Sequence, residues 1–447
     1  MHIIVIGGGD VGYPLAQALA PSHDVFVVDA DPAVGERFAD ADVEFVAGSG
    51  ANPDVLRRAG VERCAALIAA TRLDEVNFVC CALASRLGAR RTICFASRED
   101  LVTGGARGLQ QHFGIDEVVW PEAELAAHIE RVVLAPGATD AGVFVGGRIE
   151  LLEYRLAAGS PLVGPPVAAL DLPAGVVIVA AEHDLSIRIP RGATRLAAGD
   201  KVVLLGDRAG MAQLRTRMSP PGSDAARRVT IVGGGDVGFR LAQRLERTEG
   251  VELRVVERDR ERGEFLAATL RRALVLQGDG TDLALLESED IGRSDVLVSV
   301  IDNDERNLLA SLLGRQLGVR KVITRVSNPA NHRLFERVGI DVALSARGAA
   351  VTSVVHHLDG GRSSLLAILQ EGQARVVELT APAGLRPTAV KNLRLPRDLI
   401  IGTVLRDGRV LVPGGGDTVE GGDRLIVCCT QEALGNVHQL FARFGAR

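Results

Sequence analysis

Gly7, Gly9 and Gly12 form a G-x-G-x-x-G run between a short apolar stretch, Ile3–Ile6, and a helical pattern. Glycines at this spacing suit the binding of a phosphate chain. The first permits a tight turn, the second lets backbone approach a pyrophosphate, and the third lets helix and strand pack closely. The phosphates would then face the free N–H groups and the positive dipole end of the helix. Asp29, 17 residues beyond Gly12, closes the next apolar run. A carboxylate there would accept hydrogen bonds from adenosine ribose hydroxyls and repel a 2′-phosphate, so NAD or another adenosine nucleotide is expected over NADP.

The same design is written a second time. IIVIGGGDVGYPLAQALA, Ile3 to Ala20, recurs as VTIVGGGDVGFRLAQRLE, Val229 to Glu246, at an offset of 226. Gly233, Gly235 and Gly238 repeat the turn, and Glu257 repeats the acid. LDEVN (Leu73 to Asn77) recurs as NDERN (Asn303 to Asn307), and FGID (Phe113 to Asp116) as VGID (Val338 to Asp341). VAALDLP (Val167 to Pro173) and GDKVVLL (Gly199 to Leu205) return 223 residues later as VKNLRLP and GDRLIVC. Matches at so constant a spacing identify an internal duplication.

The elements that must position these residues follow from periodicity. Each copy opens with short apolar runs alternating with helical patterns, which predicts βαβ units on a parallel sheet. In the first copy the strands are expected at Ile3–Ile6, Val25–Asp29, Glu44–Ala47, Ala66–Ala70 and Thr92–Ala96, with Gly60 capping a short helix and a later helix at Ala123–Leu134. The last ~80 residues of each copy read as short strands with Pro and Gly turns, ending in a helix. The fold class is α/β: two doubly wound parallel-sheet Rossmann domains, each followed by a small α+β domain. The expected boundaries are 1–120, 138–219, 228–346 and 363–447, with Met218–Arg228 as a polar linker.

Composition removes several function classes. With 51 basic and 56 acidic residues and a net charge of -5, the chain has no basic stripe for nucleic acid. No apolar stretch approaches the ~20 residues of a membrane helix, and no signal peptide is expected before the first strand. Six cysteines without a C-x-x-C suggest a reduced compartment. No metal site is expected, since the adjacent His356 and His357 on a helix would face different ways. An NAD-dependent dehydrogenase is the alternative function. It would need a proton-transfer group beside the nicotinamide, yet the sequence leads us to expect no His–Asp or Tyr-x-x-x-Lys arrangement there, and the tyrosines are Tyr13 and Tyr154 alone. No catalytic residue is therefore assigned.

GGGDVG with VVDAD, Gly48 to Gly50, and DEVN of Asp74 to Asn77 resemble a regulator-of-potassium-conductance (RCK, or KTN) domain. GGGDVG with VVERD, QGDGTD (Gln277 to Asp282), NDERN and ITRVSNP (Ile323 to Pro329) resemble a second. The tandem arrangement is similar to the TrkA family throughout the chain. The resemblance implies phosphate contact from Gly7, Gly8, Gly9, Asp10 and Val11, ribose contact from Asp29, and further contacts from Thr71 and Arg72. In the second copy it implies Gly233, Gly234, Gly235, Asp236 and Val237, then Glu257, Asp279, the Ile301–Asp302 pair and Arg325. Phe95 stands where the second copy has Arg325, Ile301 replaces Thr71, and Ser49 replaces Asp279, so the two sites are expected to hold ligand differently. The implied function is a peripheral cytoplasmic subunit at the inner face of the plasma membrane. It would form a homo-oligomeric ring, a tetramer, under a Trk-type membrane potassium transporter, with no membrane insertion of its own. The implied ligands are NAD(H), with ATP/ADP as further candidates. The crossover helices Ala123–Leu134 and Ala350–Leu358 are the expected contacts between lobes.

Overall fold

In the first copy, the apolar runs at the centre of the sheet fold as strands buried on both faces, the pattern that parallel sheets require. The structure, a computed structural model, describes residues 1–21, 23–98, 110, 112–184, 186–218, 227–328, 331–358, 363–369, 373–430 and 433. Strands β1 (His2–Ile6), β2 (Asp24–Asp29), β3 (Glu44–Ala47), β4 (Ala66–Ala69), β5 (Thr92–Phe95) and β6 (Glu117–Val119) form one sheet in the order β3-β2-β1-β4-β5-β6. Ile3 pairs in parallel with Val25 and Ala66, and Ile3, Ile4 and Val5 are wholly buried. Helices α1 (Gly12–Leu19), α2 (Pro53–Arg58) and α3 (Asp74–Leu87) are crossovers, and α4 (Pro121–Leu134) follows the sheet. Asn52 caps α2 by accepting from the Asp54 N–H, and Gly60 lies just past its end with φ +80°.

The first small domain is an antiparallel sheet of β7 (Ala138–Phe144), β8 (Ile149–Arg155), β9 (Val176–His183), β10 (Ser186–Arg188) and β11 (Lys201–Asp207), followed by α5 (Arg208–Met218). The linker expected at Met218–Arg228 falls largely outside the described residues.

The second Rossmann domain repeats the strand order with β12 (Arg227–Val232), β13 (Val251–Glu257), β14 (Leu274–Gln277), β15 (Val296–Ser299), β16 (Lys321–Arg325) and β17 (Val342–Leu344). Its helices are α6 (Asp236–Leu245), α7 (Arg260–Thr269), α8 (Leu283–Ser288), α9 (Asp304–Gln316), α10 (His332–Arg337) and α11 (Ala346–Leu358). The second small domain pairs β18 (Ser363–Leu369), β19 (Ala374–Thr380), β21 (Leu399–Arg406), β22 (Arg409–Leu411) and β24 (Arg424–Thr430), with β20 (Thr388–Ala389) and β23 (Thr418–Val419) as a separate ladder. Its closing helix falls on residues outside those described. The two small sheets share one core, in which Leu151, Val179 and Leu205 of the first meet Val376, Leu405 and Ile426 of the second.

The duplication does not divide the chain into two separate halves. One compact body holds Met1–Ala126 together with Arg325–Asn331 and Leu344–Leu358, so α11 of the second copy packs on α1 of the first Rossmann domain. The other body holds Ala127–Thr324, His332–Ala343 and Asp359–Arg447. There the C-terminal half of α4 lies against the second Rossmann domain, with Glu130 paired to Arg244 at 2.6 Å. Among the described residues no helix is long and apolar enough to cross a membrane.

Candidate functional site

The three glycines of each turn play distinct parts. Gly7 and Gly233 sit at φ +93° and +104°, in the left-handed region where a side chain is strained. Gly12 and Gly238 allow close packing, because a Cβ on either would collide with the carbonyl oxygen of Gly7 or Gly233. Gly9 and Gly235 face open space, with nothing within 4 Å of an added Cβ. That clearance lets a phosphate approach the backbone at the N-terminus of α1 or α6.

Asp29 ends β2 and reaches back to the turn. One carboxylate oxygen accepts from the Gly8 N–H at 2.7 Å and the other from the Asp31 N–H at 2.9 Å. Glu257 does the same in the second copy, accepting from Gly234 at 2.6 Å and from Asp259 at 2.8 Å. A carboxylate has about four lone-pair positions, so both acids retain acceptor capacity for ribose hydroxyls.

The first turn opens into a cavity of about 820 Å³, within the range of nucleotide-sized sites. Of the residues expected there, Gly7, Gly9, Asp10, Val11, Asp29, Thr71 and Arg72 line it. Gly8 and Gly12 lie beneath, where they pack the turn. Arg325, expected to serve the second turn, stands in the wall of the first cavity. Ser327 and Arg347, also from the second copy, join it within the same compact body. Arg347 Nη2 lies 3.3 Å from Asp10 Oδ2, and Arg72 reaches the same oxygen at 3.8 Å.

The loop after β4 is fixed by Asn77. Its Oδ1 accepts from the Thr71 N–H and Oγ1 at 2.9 and 2.7 Å, and its Nδ2 donates to the Thr71 and Phe95 carbonyls. Asn307 repeats the clamp, accepting from Ser299 Oγ and the Ile301 N–H and donating to the Ile301 carbonyl. The D-x-x-N spacing therefore marks a positioning residue that the contact assignments above did not include.

The second turn shares one arginine contact with the first and adds another. Arg262 Nε donates to the Gly234 carbonyl at 2.8 Å, and its guanidinium lies over Phe239 and Phe265 and 3.8 Å from Asp236. Arg37 is its counterpart in the first copy, lying over Tyr13 and donating to the Gly8 carbonyl at 3.3 Å. Val237 is buried under the turn. Asp279 accepts from Thr281 Oγ1 and Arg306 Nη2, each at 2.7 Å. Burial works against its carboxylate, but these hydrogen bonds outweigh burial and hold its pKa below the ordinary value. Asp279 thus orders its own loop and is already engaged by a cation.

All six cysteines are buried free thiols, and burial pushes Cys64 to about 11 and Cys80 to about 12, far from thiolate chemistry. Among the described residues no group of His, Cys, Asp and Glu is arranged to hold a metal ion. The side chains of His356 and His357 lie outside those described.

Comparison with known proteins bears on this geometry. The TrkA-N domain model matches residues 3–121 and 229–346, and the TrkA-C domain model matches 151–219 and 375–442. The chain belongs to the TrkA family. It is 36% identical to a "Trk system potassium uptake protein TrkA homolog" of Archaeoglobus fulgidus, over 99% of this chain and 100% of that one. It is 33% identical to the "Trk system potassium uptake protein TrkA" of Halomonas elongata, over 99% and 98%. Among solved structures it resembles the GsuK channel bound to NAD, with a TM-score of 0.59 and 19% identity over 100% of this chain and 79% of that one. The GsuK RCK domain aligns with a TM-score of 0.58, at 19% identity over 99% and 95%. These likenesses establish tandem RCK-type domains.

Proposed function

We propose that the chain is a peripheral cytoplasmic regulatory subunit of a Trk-type potassium uptake transporter, gating it by binding NAD(H), ATP or ADP at its Rossmann domains. The observation that carries this reading is the first cavity: a glycine turn and ribose-facing carboxylate from one copy, completed by Arg325 and Arg347 from the other. Family membership supplies the transport context, and the relatives' names tie them to Trk potassium uptake. Among the described residues the cavity walls carry carboxylates, arginines and small polar groups, a lining suited to holding the hydroxyls and phosphates of a nucleotide.

A nucleotide shifts a gate only by the difference in its affinity for two conformations. Phosphates in the first cavity would draw Arg347 away from Asp10, so ligand charge is felt at α11 of the second copy. ATP and a dinucleotide present different charge there and would favour different positions of that helix. The subunits would act as a homo-oligomeric ring, proposed to be a tetramer. The proposed division is four domains: 1–120, 138–219, 228–346 and 363–447.

The direct test is calorimetric titration of the full chain with NADH. Asp29→Arg should weaken binding at the first site at least tenfold. Asp29→Asn, which keeps an acceptor for Gly8, should weaken it less. Unchanged affinity in Asp29→Arg overturns the assignment of the first site.

A further inference from the structure

A larger cavity, about 890 Å³, lies at the other end of the second parallel sheet from its glycine turn. Arg227 opens β12 and Lys321 opens β16, so their side chains lie at the strand starts, whereas Gly233 follows the last residue of β12. The walls hold nine basic side chains and three acidic ones, in a chain whose net charge is -5. The positive charge is concentrated here against the trend of the whole molecule.

Part of that charge has an ordinary purpose. Helices antiparallel to the strands end at this edge, and their last carbonyls carry partial negative charge. Lys321 Nζ donates to the Val132 and Ala135 carbonyls at the end of α4, at 2.7 and 3.2 Å. Arg227 donates to the Val133 carbonyl, and Arg315 to that of Gly339.

The three carboxylates do not neutralise the remainder, since each already has a cation. Asp341 is paired with Arg315 at 2.7 Å, Asp295 with Arg320, and Glu336 with Lys201, which lies outside these walls, at 3.1 Å. Two further wall cations have acids outside these walls, Arg293 with Asp290 and Arg228 with Glu252, each at 3.6 Å, and a net positive charge still remains on the cavity, to which Arg155 of β8 and Arg337 of α10 contribute. Burial first, and then the neighbouring charge of Arg227, pushes the Lys321 ammonium down to about 7, against the partial relief that Asp341 gives.

We infer that this cavity is a second anion site, distinct from the glycine turns, which takes a small polyphosphate-bearing molecule of nucleotide size. Arginine forks bind phosphate oxygens in pairs, and several forks around one space match a phosphate chain better than a single carboxylate. Val133, Leu156 and Ile340 give the same space an apolar side against which a base could rest. The volume fits a molecule of that size. The shared recognition chemistry is the phosphate chain, whether free or carried by a nucleoside.

The test uses full-length protein and inorganic tripolyphosphate, titrated calorimetrically at low salt and pH 7. To remove the glycine turns from the reading, the same titration is run on Gly9→Leu/Gly235→Leu. Binding should survive in that variant and weaken at least tenfold in Arg293→Glu/Arg337→Glu, which alters two exposed side chains. Arg155→Glu, on a different element, should weaken it in the same direction and serves if the double variant does not fold. In the glycine variant, ATP binding more tightly than tripolyphosphate assigns a nucleotide, and equal binding assigns the bare chain.

Absence of tripolyphosphate binding to wild type, loss of binding in the glycine variant, or unchanged binding in the arginine variants would each overturn the proposal. NADH titrated into the arginine variants reports on the glycine turns separately, so the two readings fail independently.

Discussion

At the residue scale, position along a strand decides what a carboxylate can do. Asp29 and Glu257 stand at strand ends, where they face the glycine turn and solvent. Glu153 stands mid-strand in β8, only 8% exposed, with Thr139 Oγ1 donating to its Oε1 at 2.8 Å. Burial raises its pKa to about 7 against the partial relief that Lys201 gives. A carboxyl whose folded pKa exceeds its unfolded value favours the folded state fully below about 4.5, and loses that contribution as pH rises through about 7. Wild type should therefore lose roughly 2–3 kcal/mol between pH 5 and pH 8 that Glu153→Gln does not lose. Denaturant unfolding of both proteins at the two pH values measures it, and parallel pH dependence would exclude Glu153 as the source. The glycines show the same dependence on place. Gly9 and Gly12 are indistinguishable as letters, yet one faces open space and the other touches a carbonyl.

At the scale of elements, the strand positions were legible because burial on both faces leaves an unbroken apolar run. Expected and observed boundaries for β1 to β5 differ by at most one residue. The duplication was equally plain. Which sheet the later helices would cover was not legible from periodicity. Ala350, Val354 and Leu358 give α11 one apolar face, and such a face fits either Rossmann domain. The structure sets α11 on α1 of the first domain, which carries Arg347 into the first cavity and leaves Arg325 in its wall. No reading of the second copy alone could have placed them there. The side chains of the Arg347–Asp10 pair are 42% and 46% exposed, so the pair contributes no more than about 1 kcal/mol to folding. Arg347→Ala should accordingly leave the melting temperature within a few degrees while weakening nucleotide binding at the first site about tenfold. Calorimetry beside thermal unfolding checks both. An unchanged affinity would mean that α11 only packs and does not sense the ligand.

At the scale of the whole molecule, the duplicated architecture gives the two glycine turns unequal surroundings. The first cavity is built by both copies. The second turn is ringed by its own copy's Arg262, Phe239 and Glu257. A regulator with one site shared between copies can convert binding into movement of the shared helix, whereas a site within one copy mainly stabilises that copy. On the proposed function, deleting the gene should impair growth at low external potassium, and added potassium should restore it. Gly235→Leu should give a milder version of the defect. A side chain there enters open space, so the fold is kept, but it fills the approach that a phosphate needs at the N-terminus of α6. Gly9→Leu blocks the shared site in the same way and should impair growth more than Gly235→Leu. Growth curves at graded potassium, with each variant's abundance checked, order the three strains as deletion, Gly9→Leu, then Gly235→Leu in severity. Normal potassium uptake in the deletion strain, where the Trk route dominates, would refute the regulatory role. Equal defects in the two glycine variants would instead refute the inequality of the sites.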